Sequence, residues 1–290
     1  MTDTKIRLSV SAVRAYHNCP AQYYYNRVLK LPAPTSPYAV FGTITHLSFY
    51  HAYAFPKRTV DGVVWEPTGE FSPKLALEVF DLLTGRDSDH APLDDHQELL
   101  FSMVEPLDTL TFPKGRTKAM EGREGWTAHY RTMLEKAFEK PLDARRVLAV
   151  EQRVEYQMGG VDFLGYVDML YTSDKGLTII DLKTEYNKPS NQLYFNDQVA
   201  RYYWAIPEAK AFWYYHLRSG TVFEVPRNNA LIEALHNLDA QVADILSRED
   251  LPNHIRFPKR FGEQCIYCPY RKECWNGAIE DSAYLNDELS

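Results

Sequence analysis

Two acids and a lysine are the residues of this chain best placed to do chemistry. Asp168 is followed, thirteen positions later, by Asp181-Leu182-Lys183. On a β-strand, residues i and i+2 share a face. Asp181 and Lys183 therefore point the same way, while Leu182 turns into the core. Asp168 falls on the partner strand of an expected hairpin, from which it can face them. Carboxylates this close repel one another unless a cation neutralises them, and hard oxygen donors suit Mg²⁺ or Mn²⁺. A lysine beside such an ion can place an attacking water and steady charge on a phosphate. The set suits phosphodiester hydrolysis. The competing interpretation is a salt bridge on a surface hairpin. Against it, the stretch from Leu177 to Leu182 is apolar on both faces until Asp181 appears, the pattern of a buried strand that delivers functional groups to a rim.

The four cysteines occupy the two ends of the chain: Cys19, then Cys265, Cys268 and Cys274. The C-x-x-C-x5-C spacing chelates, and a fourth thiolate completes a tetrahedral set. Structural zinc and a 4Fe-4S cluster both satisfy that count. Disulfides are disfavoured in a reducing cytoplasm, the expected location, because no apolar leader follows the first residues.

The elements that must position these residues can be read from local pattern. Ser9 caps a helix running to about Tyr16, and a second helical run spans Ala21 to about Leu29. Pro32, Pro34 and Pro37 break it. A third helix opens at Phe41 and carries His46, Phe49, Tyr50 and Tyr53 at helical spacing. Residues 55–145 are expected to form a largely helical insertion, with helices over 74–83 and 126–139 and loops over 59–73 and 84–95. Strands follow at 147–156, 163–171 and 177–183, the last two joined as a hairpin across Thr172–Gly176. A helix over 196–206, strands at 211–216 and 222–225, a helix over 228–247 and a basic loop at 253–260 lead into the cysteine tail. The whole chain is expected to be a single domain with an α/β (α+β) core, a mixed central sheet flanked by helices.

Hydrophobic residues make up 45% of the 290 positions and charged residues 24%, the balance of a globular chain. No apolar run reaches the roughly 20 residues of a membrane helix, so no membrane partner is expected. Thirty-two Lys and Arg against 39 Asp and Glu give a net charge of −7. That disfavours a protein that coats nucleic acid through its overall field, but leaves room for a local basic groove.

The sequences Gly165-Tyr166-Val167-Asp168 and Ile180-Asp181-Leu182-Lys183-Thr184 resemble the PD-(D/E)xK nuclease superfamily, with its restriction-endonuclease-like core. More narrowly they are similar to its RecB-like branch. His46 behind Gly42, Glu151 in Val150-Glu151-Gln152, and the pair Gln198 and Tyr202 occur in that branch's order. The resemblance implies that His46, Asp168, Asp181 and the Leu182 carbonyl bind Mg²⁺ or Mn²⁺ and that Lys183 is catalytic. It also implies that Glu151 supports the site, and that Gln198 and Tyr202 orient Lys183 or the DNA. Taken singly, His46 could be a packed core histidine, Glu151 a strand-edge charge, and Gln198 with Tyr202 a helix-surface pair.

The cysteine pattern, with Cys19-Pro20 and Cys268-Pro269, resembles the iron–sulfur nucleases of the same branch, among them the AddB subunit and CRISPR-associated exonucleases. It implies a structural 4Fe-4S cluster. Pro113-Lys114-Gly115-Arg116-Thr117-Lys118 and nearby Trp126 resemble a segment of phage RecE-type exonucleases, in which such a basic tract would lie beside the DNA end; the alternative is a solvated basic loop. The implied activity is a DNA exonuclease acting on single strands or ends with 5′→3′ polarity. Its proteins would serve recombination and repair, phage DNA metabolism or CRISPR adaptation. The rival expectation is a non-catalytic DNA-end-binding or scaffold subunit of a recombination complex.

Overall fold

The computed structural model describes residues 7–112, 120–158, 161–185 and 191–275; the basic tract at 113–118 lies outside them. In chain order the elements are β1 (Arg7–Ser9), α1 (Val10–Asn18), α2 (Pro20–Tyr23) and α3 (Pro37–His51). Then come β2 (Ala54–Thr59), β3 (Gly62–Pro67), α4 (Pro73–Gly85), α5 (Asp95–Met103) and α6 (Gly122–Phe138). The remainder is β4 (Val147–Met158), β5 (Val161–Ser173), β6 (Gly176–Lys183), α7 (Asp197–Ala205), β7 (Ala211–His216), β8 (Thr221–Val225), α8 (Asn229–Ser247), α9 (Asn253–Arg256) and α10 (Arg271–Cys274). The fold is mixed α/β, with an eight-stranded, mostly antiparallel sheet flanked by helices. No helix among the described residues is long and apolar enough to cross a membrane.

The chain divides into two compact units. One comprises Met1–Pro34, Glu155–Leu164 and His236–Ser290; the other, Thr35–Val154 and Gly165–Leu235. In the first, β1 pairs in parallel with the start of β5, Leu8 opposite Phe163. Ser9 caps α1 by accepting the Ala12 N–H at 3.0 Å. Val13, Tyr16, Tyr23, Phe163, Val242 and Phe257 share a core, in which the Tyr23 and Phe257 rings stack at 6.2 Å.

The second unit holds the sheet order β2-β3-β4-β5-β6-β7-β8. β5 and β6 form an antiparallel hairpin, from Ser173 opposite Gly176 to Met169 opposite Ile180. β6 runs parallel to β7, with Asp181 opposite Tyr214 and Lys183 opposite His216. α7 lies in the connection between them, as a parallel pair requires a crossover. Strand alternation sends successive residues of β6 to different cores. Ile180 and Leu182 join Phe41, Phe49, Phe80 and Trp126; Ile179 joins Val199, Tyr203 and Phe212. Asp181 and Lys183 share the parity of Ile179 and so emerge on the side of α7.

Several expectations change. α3 begins at Pro37 and not Phe41, because proline at the first helical position forfeits no hydrogen bond. Residues 55–145 contain α4, α5 and α6 but also the hairpin β2–β3, where a loop was expected. Pro56, Lys57 and Arg58 hide that hairpin in the sequence, yet they suit an edge strand. Trp126 is fully buried against Phe41 and Tyr130 and belongs to the core.

Candidate functional site

The β5–β6 ladder ends at Met169 opposite Ile180. Continuing its register by one rung sets Asp168 against Asp181, which makes this the first open rung. Asp168 uses Oδ2 to accept the Leu182 N–H at 2.7 Å. Asp181 is only 5% exposed, and its Oδ2 lies 2.7 Å from Lys183 Nζ. Even so, that oxygen has no hydrogen bond of acceptable geometry.

α7 closes this side of the site. Asn196 caps the helix by accepting the N–H groups of Gln198 and Val199, which fixes Gln198 in its first turn. Gln198 Oε1 accepts from Lys183 Nζ at 3.2 Å, and its Nε2 donates to Asp181 Oδ1 at 3.1 Å. One amide thus holds both members of the acid–lysine pair. Tyr202 stands beside Gln198, whose Nε2 donates to its hydroxyl at 3.5 Å. Its hydroxyl donates to the Tyr166 carbonyl at 2.7 Å and ties α7 to β5. Lys183 Nζ also sits 5.2 Å from the centre of the Tyr214 ring, a cation–π contact that the sequence reading missed.

α3 supplies the other side. His46 Nδ1 lies 3.6 Å from Asp168 Oδ1. One turn on, the Tyr50 hydroxyl is 2.8 Å from both Asp168 Oδ1 and Glu151 Oε2. A phenol carries one proton and can donate to only one carboxylate at a time. The second contact therefore needs a proton on a carboxyl group. Tyr50 was not among the residues selected from sequence, although its i+4 spacing from His46 was a usable signal. Glu151 has a second distinction: φ is +46°, left-handed backbone within a strand. For a residue with a side chain this costs of order 1–3 kcal/mol, and such strain gathers at functional sites.

The charges follow from burial and proximity. Burial, then the charge of Asp168, pushes the Glu151 carboxyl up to about 7. Burial also raises Asp181, and the Asp168 charge adds to it, against the pull of Lys183. Burial would raise Asp168 as well, but His46, Lys183 and the Leu182 N–H outweigh it and hold the group below its ordinary value. Burial opposes charge on His46 and Lys183, yet the facing carboxylates raise both.

A divalent cation fits this donor set. Two desolvated carboxylates and an imidazole converge, one buried Asp181 oxygen lacks a well-formed hydrogen bond, and a proton or cation is needed to relieve like charge. Among the described residues, however, no three His, Cys, Asp or Glu side chains are gathered as ligands of one ion. The Asp168 and Asp181 oxygens lean instead on Leu182, Tyr50, Gln198 and Lys183. In the first unit, Cys19, Cys265, Cys268 and Cys274 line one cavity. Burial raises the Cys268 and Cys274 thiols, and the neighbouring cysteines push both further up.

The Glu151 carboxyl gives a signed pH dependence. The folded protein binds this proton more tightly than the unfolded chain. The resulting stabilisation is complete below the ordinary carboxyl value and lost as pH rises through about 7. Glu151→Gln stays neutral, so in chelator the variant gains on the wild type by up to roughly 3 kcal/mol between about pH 5 and about pH 8. Denaturant unfolding at the two pH values checks this; a constant difference contradicts it.

A family model for the PD-(D/E)XK nuclease superfamily matches residues 7–275. No curated protein matches the chain. Among solved structures the chain is similar to the crystal structure of SSO0001, at 18% identity and a TM-score of 0.26, over 42% of this chain and 56% of that one. It thus spans little more than half the length of that protein. Nucleases of the superfamily hydrolyse phosphodiester bonds, act on DNA and generally use Mg²⁺ or Mn²⁺. With the match running through both acids, the lysine and all four cysteines, the chain belongs to the PD-(D/E)XK nuclease superfamily.

Proposed function

We propose that the protein is a metal-dependent DNA exonuclease that acts on single strands or DNA ends, with 5′→3′ polarity, and carries a structural 4Fe-4S cluster. The observation that carries the nuclease reading is the opposition of Asp168 and Asp181 across the first open rung, with Lys183 Nζ 2.7 Å from Asp181. His46, Asp168, Asp181 and the Leu182 carbonyl would hold Mg²⁺ or Mn²⁺. When bound, the ion supplies Lewis-acid stabilisation of charge on the phosphate. Lys183, held by Asp181 and Gln198, donates hydrogen bonds to the attacking water and to a phosphate oxygen. Glu151 and Tyr50 retain a proton beside Asp168 and so limit the negative charge that an incoming phosphate meets. Tyr202 keeps α7 and β5 in register around Lys183. An enzyme of this kind would work in the cytoplasm on ends generated in recombination and repair, phage DNA metabolism or CRISPR adaptation.

The cluster assignment is supported by four cysteines, from both ends of the sequence, lining one cavity. Such a cluster would act by joining distant segments of the first unit.

Lys183→Ala is expected to keep the fold and DNA binding while lowering cleavage by at least about a hundredfold, on the scale of lost electrostatic stabilisation. Digestion of single-stranded, duplex, linear and circular DNA labelled at either end, with Mg²⁺ or Mn²⁺, measures this and the polarity together. Unchanged cleavage by the variant would sink the assignment. For the cluster, anaerobically purified protein is expected to show broad visible absorbance and to contain iron and acid-labile sulfide, both lost in Cys268→Ser. Colourless protein with stoichiometric zinc would contradict it.

A further inference from the structure

Tyr166 stands two residues before Asp168 on β5, and both side chains line the same cavity of about 540 Å³. That volume lies within the range of small-molecule sites, about 300–1,000 Å³. Tyr166 is 44% exposed. Its backbone is nonetheless fixed, because its carbonyl accepts the Tyr202 hydroxyl at 2.7 Å. An open aromatic ring on a held strand, beside buried carboxylates, is a preformed stacking surface.

The rest of the lining separates base from phosphate. The β2–β3 hairpin contributes Asp61, Val63 and Val64, and α5 contributes Met103. This wall carries an acid and apolar groups, so it repels a phosphate and accepts the edge or face of a base. Among the described residues of the lining, Arg153 is the single Lys or Arg. A base can stack on the Tyr166 ring only if its own face is free, which a nucleotide inside a duplex does not offer.

We propose that Tyr166 is the stacking platform of a nucleotide subsite that takes an unpaired base next to the scissile phosphate. This rests on the nuclease reading and deepens it. The substrate class is a single strand, or an end frayed to one, recognised without regard to sequence because every base has a π-face.

The test measures binding in a Lys183→Ala background, by fluorescence anisotropy of a labelled single-stranded oligonucleotide. Tyr166→Ala is expected to weaken binding by about five- to a hundredfold, and Tyr166→Phe by less than about twofold. Tyr166→Leu keeps the apolar bulk without the π-face and is expected to behave like alanine, which separates stacking from packing. A single abasic residue walked along the oligonucleotide is expected to weaken binding at one position when tyrosine is present and not to weaken it further in Tyr166→Ala. Equal binding by the alanine variant, or an abasic penalty that survives in it, overturns the inference; so does the absence of any DNA binding. Cleavage by protein with Lys183 intact is read in parallel. No cleavage with Tyr166-dependent binding defeats the nuclease reading alone, whereas cleavage with Tyr166-indifferent binding defeats the inference alone.

Discussion

Two carboxylates face each other at the open end of a buried ladder, and the rest of the site answers that constraint. Asp181 is placed there by β6, whose neighbours on either side in the sequence, Ile180 and Leu182, are both fully buried. The acid cannot swing away without dragging those side chains from the core. Asp168 is held by the Leu182 N–H. Like charges are thus forced together in a desolvated place, where their repulsion is screened least. Every polar neighbour then has a physical task. Lys183 contributes positive charge, His46 stands 3.6 Å from Asp168, Gln198 splits its amide between acid and lysine, and Tyr50 shares a hydroxyl between Asp168 and Glu151.

Glu151 shows what the arrangement costs. Its left-handed backbone and its raised carboxyl are both unfavourable. They bring a second carboxyl, beside that of Asp168, to the Tyr50 hydroxyl. A fold that gathers two acids around one phenol, with Asp181 facing one of them, spends stability to keep a pocket for positive charge. The cysteine cavity is a second gathering of like groups: four thiols line one place, and burial raises those of Cys268 and Cys274.

Much of this was legible in the sequence because it depends on short-range periodicity. The i, i+2 rule placed Asp181 and Lys183 on one face, and the turn at Thr172–Gly176 aligned Asp168 with them. The strand at 211–216 and the helix beginning after Asn196 follow from equally local signals. What escaped depends on tertiary context. Tyr50 lies on a helix crowded with Phe49 and Tyr53, so its aromatic ring reads as core until the hydroxyl is seen between two acids. The left-handed turn at Glu151 has no glycine to announce it. The hairpin β2–β3 carries a proline and two cations where a strand signal would be apolar, and it gains its place by pairing with β4 at Trp65 and Val150.

Asp168 and Asp181 are held together at an energetic cost that a divalent cation would relieve. The most direct measurement is thermal unfolding of wild type and Asp181→Asn across a Mn²⁺ titration. The account predicts that the variant is the more stable of the two in chelator, because one buried charge is gone. It further predicts that Mn²⁺ raises the wild-type midpoint progressively, as a ligand of the folded state must, and leaves the variant unmoved. A wild type indifferent to Mn²⁺, or an equal rise in both proteins, would contradict it.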